Sequence, residues 1–452
     1  MTTTKNNEHK KLNFSSERDQ SQACLNSAEH EKNQGRKVLN VPNKREQNQT
    51  CLDSAEHEGL RPKGNVPNLR FPEFQEEWEK CKVSDLLDFY STNSLSWDKL
   101  EYGTTNIQNL HYGLIHVGLS TMVDIDKDNL PNIIDGNVPR NYELCKEGDI
   151  VFADASEDTN EVAKAVEYYN LNGKKVVCGL HTIHGRDNKN KTVVGYKGYA
   201  FSSMSFHHQI RRIAQGTKIY SINSKNFSEC YVGIPSKDEQ QKIADLLRLI
   251  DERIATQNKI IEDLKKLKSA ISKKLLCNDK WTTCIIQDIA EIGRGRVISS
   301  VEIDRQKHPL YPVYSSQTSN NGIMGYLDNY MFDGEYITWT TDGANAGTVF
   351  YRKGKFNCTN VCGTLKILPK FDCYFVSLVL QQATQKYVSS NLANPKLMNN
   401  TMASIKIRMP NIETQKQLSK VFQTLDSCLL VHQRTCKMYL SEKQYLLRQM
   451  FI

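Results

Sequence analysis

Apolar residues recur at every seventh position along two long stretches of the chain, 234–280 and 409–452. Each stretch carries two such seams, which start at Ile243 and Leu247 in the first stretch and at Leu418 and Phe422 in the second. A seven-residue spacing held through several repeats predicts helices that pack along their length. At 1.5 Å per residue, each helix would be roughly 57 Å long.

One polar residue interrupts the first seam of each helix near its middle, Gln257 and His432. If the helices lie antiparallel with their ends level, these two side chains meet. We expect the pair to set the register of the helices, as single polar core residues can. The alternative is that each side chain points to solvent.

The remainder of the chain from residue 66 consists of short Tyr-, Val- and Ile-rich runs broken by Gly, Asn and Asp, a pattern typical of strands joined by turns. These runs fall into two stretches, 66–233 and 281–408, each followed by one of the long helical patterns. Both stretches open on W-x-x-C-x-(V/I)-x-D, at Trp78 and Trp281, and both end in a proline before the helix, in IPSKDEQQKIADLL and MPNIETQKQLSKVF. The sequence therefore predicts two copies of one plan.

Residues 1–65 differ from the rest of the chain in amino-acid composition. They hold few apolar side chains and a single aromatic one, Phe14, and they repeat themselves, since CLNSAEHE returns as CLDSAEHE. Such a segment cannot offset its ordering entropy by burial. We predict a disordered polar tail with an internal duplication; a tethering or partner-binding arm is the alternative.

Overall composition adds only weak constraints. The 452 residues carry a formal net charge of +8, which is compatible with a polyanionic partner. The 13 cysteines include no C-x-x-C pair and the N-terminus lacks the apolar run of a signal peptide, so we expect reduced, mostly buried thiols in a cytoplasm. No window approaches the roughly 18 consecutive apolar residues of a membrane span, so no membrane is expected.

Charge is distributed unevenly in the first globular stretch. Residues 124–167 hold 12 acidic and 4 basic side chains, whereas 174–218 hold 9 basic side chains and one acidic side chain. Cations can anchor phosphates, and interleaved polar or aromatic groups can reach base edges, although any one lysine could be a solvated surface charge. We predict that this segment faces nucleic acid through Lys174, Lys175, Arg186, Lys189, Lys191, Tyr196, His207, His208, Arg211, Arg212 and Lys218.

The second globular stretch has an excess of basic residues, and its amide and hydroxyl side chains suit base-edge recognition. The glycines of its NNG and GANAG runs are expected to serve turns. The predicted nucleic-acid contacts of this stretch are Tyr314, Gln317, Asn320, Asn321, Thr341, Asn345, Arg352, Lys353, Lys355 and Lys396.

Signatures of catalysis are scarce. The chain has no G-x-x-x-x-G-K-(S/T) phosphate loop, no glycine-rich dinucleotide fingerprint and no N-P-P-Y motif of an amino-methyltransferase. CGLHTIH spaces Cys178, His181 and His184 as metal ligands could be, but alternation along a strand would turn them to different faces. Cys358 and Cys362 form a second pair without partners. We therefore expect a binding protein with no catalytic residues and no metal.

The duplicated P-x-x-x-E-Q-x-x-I before a long helix resembles the specificity subunit of type I restriction-modification systems. It occurs as IPSKDEQQKI and, in altered form, as MPNIETQKQL. LRFPEFQEEWE, GDIVFADASEDTNEVAKAVE, GLHTIHGR and TTDGANAGTVFY are also similar to that family's target-recognition domains, so the resemblance covers about 66–452. One departure is Thr414, where the family usually has Glu.

The resemblance implies an α+β fold, in which two target-recognition domains of mixed, sheet-rich structure are separated by long helices that pair as an antiparallel coiled coil. It implies that each domain reads one half of a bipartite site on double-stranded DNA and that the helices set the spacing. Two methyltransferase subunits would dock on this chain, and restriction (translocase and nuclease) subunits would join them. S-adenosylmethionine, ATP and Mg²⁺ would act in those partners, so this chain would bind no cofactor and catalyse nothing.

Three alternatives differ in class. A stand-alone DNA-binding protein, regulatory or inhibitory, would work without methyltransferase partners. A restriction enzyme with its own nuclease would need a catalytic carboxylate cluster and a methylase motif, which the sequence does not offer. A purely structural coiled-coil protein would leave the basic segment 174–218 unexplained.

Overall fold

The computed structural model describes residues 64–104, 106–276, 279–389 and 394–452. The predicted tail, 1–65, lies outside the described residues except for its last two positions. No helix among the described residues is long and apolar enough to cross a membrane.

The first domain is built on two sheets, with strand orders β10-β4-β6-β3 and β2-β11-β7-β9-β5. Its strands are β1 (Glu79–Lys82), β2 (Asp88–Tyr90), β3 (Leu100–Glu101), β4 (Gln108–Leu110), β5 (Met122–Asp124), β6 (Asn132–Ile133), β7 (Ile150–Ala153), β8 (Ala155–Ser156), β9 (Ala165–Asn170), β10 (Val176–Cys178), β11 (Thr182–Arg186), β12 (Tyr220–Ser221) and β13 (Tyr231–Ile234). Its helices are α1 (Val83–Leu86), α2 (Tyr112–His116), α3 (Tyr196–Phe201), α4 (Met204–Ile213) and α5 (Ser224–Ser228), followed by the long helix α6 (Lys237–Leu275).

The second domain repeats this arrangement with fewer strands, in sheets of order β15-β21-β18-β19 and β17-β16-β20. Its strands are β14 (Thr282–Ile285), β15 (Ala290–Arg294), β16 (Tyr311–Tyr314), β17 (Ile323–Leu327), β18 (Glu335–Thr340), β19 (Val349–Lys353), β20 (Asn357–Cys358), β21 (Cys362–Ile367) and β22 (Lys406–Met409). Its helices are α7 (Ile286–Ile289), α8 (Ser300–Asp304), α9 (Cys373–Ala383) and α10 (Asn399–Ser404), followed by the long helix α11 (Ile412–Gln449).

The duplicated sequence patterns lie next to each other in space. In the first domain β1 pairs with β13, antiparallel, so the segment after Trp78 lies beside the strand that precedes α6. In the second domain β14 pairs with β22 in the same way. Each domain is therefore closed by its first and last strands, which explains why both ends of each copy recur in the sequence.

The two long helices pair antiparallel. Lys443 of α11 lies 2.6 Å from Asp251 of α6, and Lys268 of α6 bonds Asp426 of α11, so positions rise along one helix as they fall along the other. Side-chain oxygens of Ser236 and Asn411 accept backbone N–H groups in the first turns of α6 and α11, which fixes where each helix begins. The predicted helical patterns and their mutual packing are confirmed.

Each domain packs on both helices at one end of the pair. The core of the first domain includes Ile243 and Leu247 from the start of α6 together with Leu446 from the end of α11. The core of the second domain includes Phe422 from the start of α11 and Leu276, which follows α6. Because each end of the pair is shared in this way, neither domain can move along the helices without breaking its own core.

Candidate nucleic-acid interface

In the first domain, several connecting segments gather at one end of the two sheets. We call them the first loop cluster. β4 and β10 run parallel and both end there, β7 ends there, and β11 begins there. The first loop cluster comprises 91–98, 111–116, 154–162, 179–181 and 211–220.

Aromatic and imidazole rings form a chain across the first loop cluster. The rings of Trp97 and His111 lie 4.6 Å apart, those of His111 and Tyr112 lie 4.7 Å apart, and those of Tyr112 and His181 lie 5.2 Å apart. Trp97 is 45% exposed and the side chain of His181 is 50% exposed, so both ends of this chain reach solvent. Exposed flat rings can stack on bases or lie against sugars.

The second domain has an equivalent gathering, the second loop cluster, at the corresponding end of its sheets. β16 and β20 run parallel and end there, and β15 and β18 end there beside the start of β21. The second loop cluster comprises 294–297, 315–322, 342–347, 359–361 and 394–400.

Direct contacts hold the second loop cluster together. Asp342 pairs with Lys396 at 3.8 Å, and an Arg294 nitrogen lies 3.7 Å from the Met398 sulfur. Gly295 is required by close backbone approach, because a Cβ there would lie 2.1 Å from the carbonyl oxygen of Cys358. Arg294, Arg296 and Lys396 bring three basic side chains to this cluster, and of these Arg296 pairs with Glu302 and Lys396 with Asp342.

Four of the predicted nucleic-acid contacts have buried side chains in this structure. Tyr196 is 0% exposed, and its hydroxyl donates to the Gly233 carbonyl at 2.7 Å. Arg186 is held by Asp149 and Glu143, and the hydrogen bond with Asp149 raises the pKa of Arg186.

Arg352 and Thr341 are the other two. The Arg352 guanidinium is 3% exposed and stacks 3.6 Å from the ring centroid of Tyr314, where burial lowers its pKa. Thr341 is 0% exposed and donates to Asp342 at 2.6 Å. Both residues lie beneath the second loop cluster and shape it from within.

Six predicted lysines lie at the opposite end of the sheets from the loop clusters. Strands of three to six residues place the two ends roughly 10 to 20 Å apart, at about 3.4 Å per residue. Several of these lysines are paired there, for example Lys191 with Glu79 at 2.6 Å and Lys353 with Glu335 at 3.1 Å. The six are Lys174, Lys175, Lys189, Lys191, Lys353 and Lys355.

The remaining predicted contacts of the first domain lie at or beside the first loop cluster. Arg211 donates to Asn160 at 3.0 Å, and Lys218 is exposed on the segment that leads into β12. His207 is half-buried beside them. Arg212 and His208 are exposed on the same helix, α4.

In the second domain, five predicted contacts belong to the second loop cluster and one lies beneath it. Asn320 and Asn321 are exposed in a left-handed turn with φ of 48° and 54°, and the turn predicted for NNG is confirmed. Gln317 turns inward and donates to the Ile323 carbonyl. Asn345 and Lys396 are partly exposed on adjoining loops. Tyr314 lies beneath the second loop cluster, where the Arg352 guanidinium stacks on its ring.

Ring residues of the first loop cluster and basic residues of the second were not predicted from the sequence. Trp97, His111 and Tyr112 were not singled out, although NLHYGLIH concentrates rings directly after an apolar run. Arg294 and Arg296 were missed as well, although GRGR is a compact basic signal.

Gln257 and His432 meet at the middle of the helix pair. Oε1 of Gln257 and Nδ1 of His432 lie 2.8 Å apart. The flanking ion pairs, Asp251 with Lys443 and Lys268 with Asp426, involve residues that correspond in the duplication. The hydroxyl of Tyr199 donates to Asp251 at 2.9 Å, and the hydroxyl of Tyr374 donates to Asp426 at 2.5 Å. These two tyrosines also correspond in the duplication. A pseudo-twofold axis therefore passes through the Gln257–His432 pair.

The departure at Thr414 has a structural explanation. Its counterpart Glu239 is 1% exposed, accepts two hydrogen bonds from Arg70 at 2.7 and 2.8 Å, and accepts one from Trp78 at 3.2 Å. Glu239 thus fastens the segment before the first domain to α6. At α11, the backbone N–H of Thr414 donates to Asn411 at 2.9 Å, the same capping bond that the backbone N–H of Glu239 makes to Ser236 at 3.4 Å.

Comparison with known proteins gives a consistent result. The family model described as "Type I restriction modification DNA specificity domain" matches residues 75–266 and 278–437. A putative type I specificity subunit of Mycoplasma pneumoniae is 37% identical over 210 residues, which cover 45% of this chain and 78% of that protein. The MpnII type I restriction enzyme specificity subunit of the same organism is 42% identical over 145 residues, covering 32% of this chain and 43% of that protein.

A solved structure shares the fold. The type I restriction-modification S subunit from M. genitalium superposes with a TM-score of 0.59 at 17% identity, covering 86% of this chain and 99% of that one. The two-domain α+β architecture with a long helix pair, expected from the sequence, is confirmed.

Proposed function

Because this chain belongs to the family of type I restriction-modification DNA specificity domains, we propose that it reads a bipartite site on double-stranded DNA, one half with each loop cluster. The observation that carries the proposal is the arrangement of two equivalent loop clusters on one antiparallel helix pair, related by an axis through Gln257 and His432. DNA-binding proteins with twofold symmetry bind pairs of half-sites whose spacing mirrors the separation of their reading elements. The helix pair would set that separation.

The two clusters would contact DNA through different chemistry. The second loop cluster offers Arg294, Arg296 and Lys396 for phosphates and Asn345 for a base edge. The first offers the ring chain from Trp97 to His181, with the exposed cations Arg212 and Lys218 beside it. Different chemistry at the two clusters favours two different half-sites.

An apolar stripe on α11 supports a partner on the helix pair. Val431, Met438 and Tyr445 are seven residues apart, so they share one face, and they are 58%, 70% and 56% exposed. A row of large exposed apolar side chains on a helix marks an interaction surface. We assign this face to methyltransferase docking, with restriction subunits joining through them. S-adenosylmethionine, ATP and Mg²⁺ would be bound by those partners, and this chain would supply no catalytic group.

The test is co-expression of the chain with its methyltransferase subunit, followed by mapping of methylated adenines in the DNA of the expression host. We expect a stable complex and methylation of one bipartite sequence. Met438→Asp should abolish the complex, whereas Asp263→Asn, at the corresponding exposed position of α6, should not. A chain that binds DNA specifically without any methyltransferase partner would instead be the stand-alone regulator.

DNA contacts are tested on the same complex. Replacing Arg294 and Arg296 by Gln should weaken binding to all sequences and lower the slope of log affinity against log salt, by about 0.9 per lost phosphate contact. Lys189 and Lys191, at the far end of the first domain, provide the control pair. If the control pair changes the salt slope and the Arg294 and Arg296 variant does not, the loop clusters are not the interface.

A further inference from the structure

Three side chains with metal-binding atoms meet in the core of the first domain. They are Cys145, Cys178 and His184, and one ligand atom of each lies within 4.8 Å of the others. The sulfur atoms of Cys145 and Cys178 are 3.5 Å apart, and both cysteines are free. Two thiolates on a tetrahedral zinc ion with Zn–S bonds of about 2.3 Å lie about 3.8 Å apart, so the two sulfurs already have nearly the separation that zinc requires.

His184 is oriented as a metal ligand would be. Its Nε2 lies 2.7 Å from Oδ2 of Asp149, and Asp149 is itself held by Arg186. The other ring nitrogen, Nδ1, is buried and has no hydrogen-bond partner, and the side chain is 0% exposed. Metal-binding histidines characteristically give their second nitrogen to a carboxylate, which fixes the ring orientation. The hydrogen bond to Asp149 thus leaves Nδ1 as the free ligand atom.

A second buried polar group lies at the same place. The hydroxyl of Tyr168 has no oxygen or nitrogen atom as a hydrogen-bond partner and lies against the thiols, and the residue is 0% exposed. Cys145 and Cys178 are among its neighbours. Buried polar atoms are nearly always satisfied in folded proteins, so the unpartnered Nδ1 of His184, beside two thiols and a buried hydroxyl, points to a missing ligand.

We propose that Cys145, Cys178 and His184 bind a structural zinc ion, with the Tyr168 hydroxyl at the fourth position. Two thiolates and an imidazole favour zinc over magnesium or calcium, which prefer oxygen ligands. Binding would form coordinate bonds from the ion to the two sulfurs, to Nδ1 and to the Tyr168 oxygen, and it would release the two thiol protons to solvent. Cys178 belongs to the sheet of β10 and His184 to the sheet of β11, so the ion fastens the two main sheets of the first domain together.

The ligand set differs from the Cys178, His181 and His184 spacing of the sequence, from which no metal site was expected. His181 does not join the site, because its half-exposed side chain pairs with Asp154 at 3.2 Å. Cys145, distant in sequence from Cys178, takes its place. Within the described part of the chain this is the only cluster of its kind, and Cys358 and Cys362 of the second domain have no histidine beside them.

The test uses the untagged full-length chain, purified with a reductant and without chelator. Elemental analysis should find one zinc per chain. After removal of zinc by a chelator, titration with Co²⁺ should produce thiolate-to-cobalt charge-transfer absorption and the visible bands of a tetrahedral site. Cys145→Ser and His184→Gln should each lose bound zinc, whereas Cys358→Ser should retain it. These readouts require no DNA and no partner subunit, so they stand independently of the proposed function.

Two outcomes would overturn the proposal. One is a chain that is free of zinc as purified and gives no cobalt–thiolate absorption. The other is a native disulfide between Cys145 and Cys178, detected by peptide mass spectrometry without reduction. If Cys145→Ser fails to fold, the cobalt spectrum of the wild-type chain decides alone.

Discussion

Lengthening both long helices by one heptad at the pseudo-twofold axis should lengthen the DNA spacer. The change duplicates 251–257 after Gln257 and 426–432 after His432. Seven residues keep the apolar seams in phase and add about 10.5 Å to the helix pair. At about 3.4 Å per base pair, this corresponds to about three base pairs of additional spacer. The Asp251–Lys443 and Lys268–Asp426 pairs remain intact, because each lies outside the insertion on both helices.

The same change should also weaken binding. Three base pairs turn the duplex by about 100°, since one turn takes about 10.5 base pairs. The helix pair itself turns far less over one heptad, by about 20°. The DNA or the domains must therefore twist for both half-sites to be bound. We expect the variant to bind the longer site with lower affinity than the wild-type chain binds the wild-type site.

The assay is methylated-adenine mapping in cells that express the variant with its methyltransferase subunit. Both half-site sequences should be unchanged and the spacer about three base pairs longer. The matched control duplicates 251–257 in α6 alone. Because each domain packs on both helices, this control cannot keep both ion pairs, and we expect it to lose the defined complex. An unchanged spacer in the variant with both duplications, or a lengthened spacer in the control, would refute the proposal that the helix pair sets the spacer length.

Three further predictions concern single residues. Glu239→Ala should destabilise the first domain by about 1 to 3 kcal/mol in urea denaturation, because it leaves the partly buried Arg70 and the buried Nε1 of Trp78 without their acceptor. Thr414→Ala should stay within about 0.5 kcal/mol, and equal effects would contradict the role given to Glu239. Burial lowers the pKa of His207 from 6.5, so the neutral side chain contributes fully to the stability of the folded chain above pH 6.5, and that contribution is lost as the pH falls toward the lowered pKa. His207→Gln should therefore flatten the pH dependence of the free energy of unfolding in urea in that range. An unchanged profile would exclude His207 as the cause. Asn345→Ala should relax preference at one base pair of one half-site by about 1 to 3 kcal/mol in competition binding, and a uniform loss across all sequences would show that Asn345 only positions the backbone.

The basic segment 174–218 shows where reasoning from the sequence fails. Because Arg186, Lys191 and Arg211 are close in sequence, they were predicted to share one surface. In the structure, Arg186 lies in the core at the end of β11, and Lys191 follows β11 at the end of the domain opposite the first loop cluster. Arg211 lies on α4 at the first loop cluster. Charge density along a chain cannot reveal which end of a sheet a residue occupies, because one strand of a few residues crosses the whole domain.

The sequence by itself determined the duplication and the two long helices, because a seven-residue repeat and a constant offset between copies are properties of the chain alone. It predicted the meeting of Gln257 with His432 as one of two alternatives, and the structure decided between them. Only the tertiary structure decided that each domain holds both helices, that rings from Trp97 to His181 form one row, and that Cys145 joins Cys178 and His184. Those groupings depend on strand pairing between segments far apart in sequence. Periodicity records only which face a residue occupies, whereas pairing fixes which faces come together.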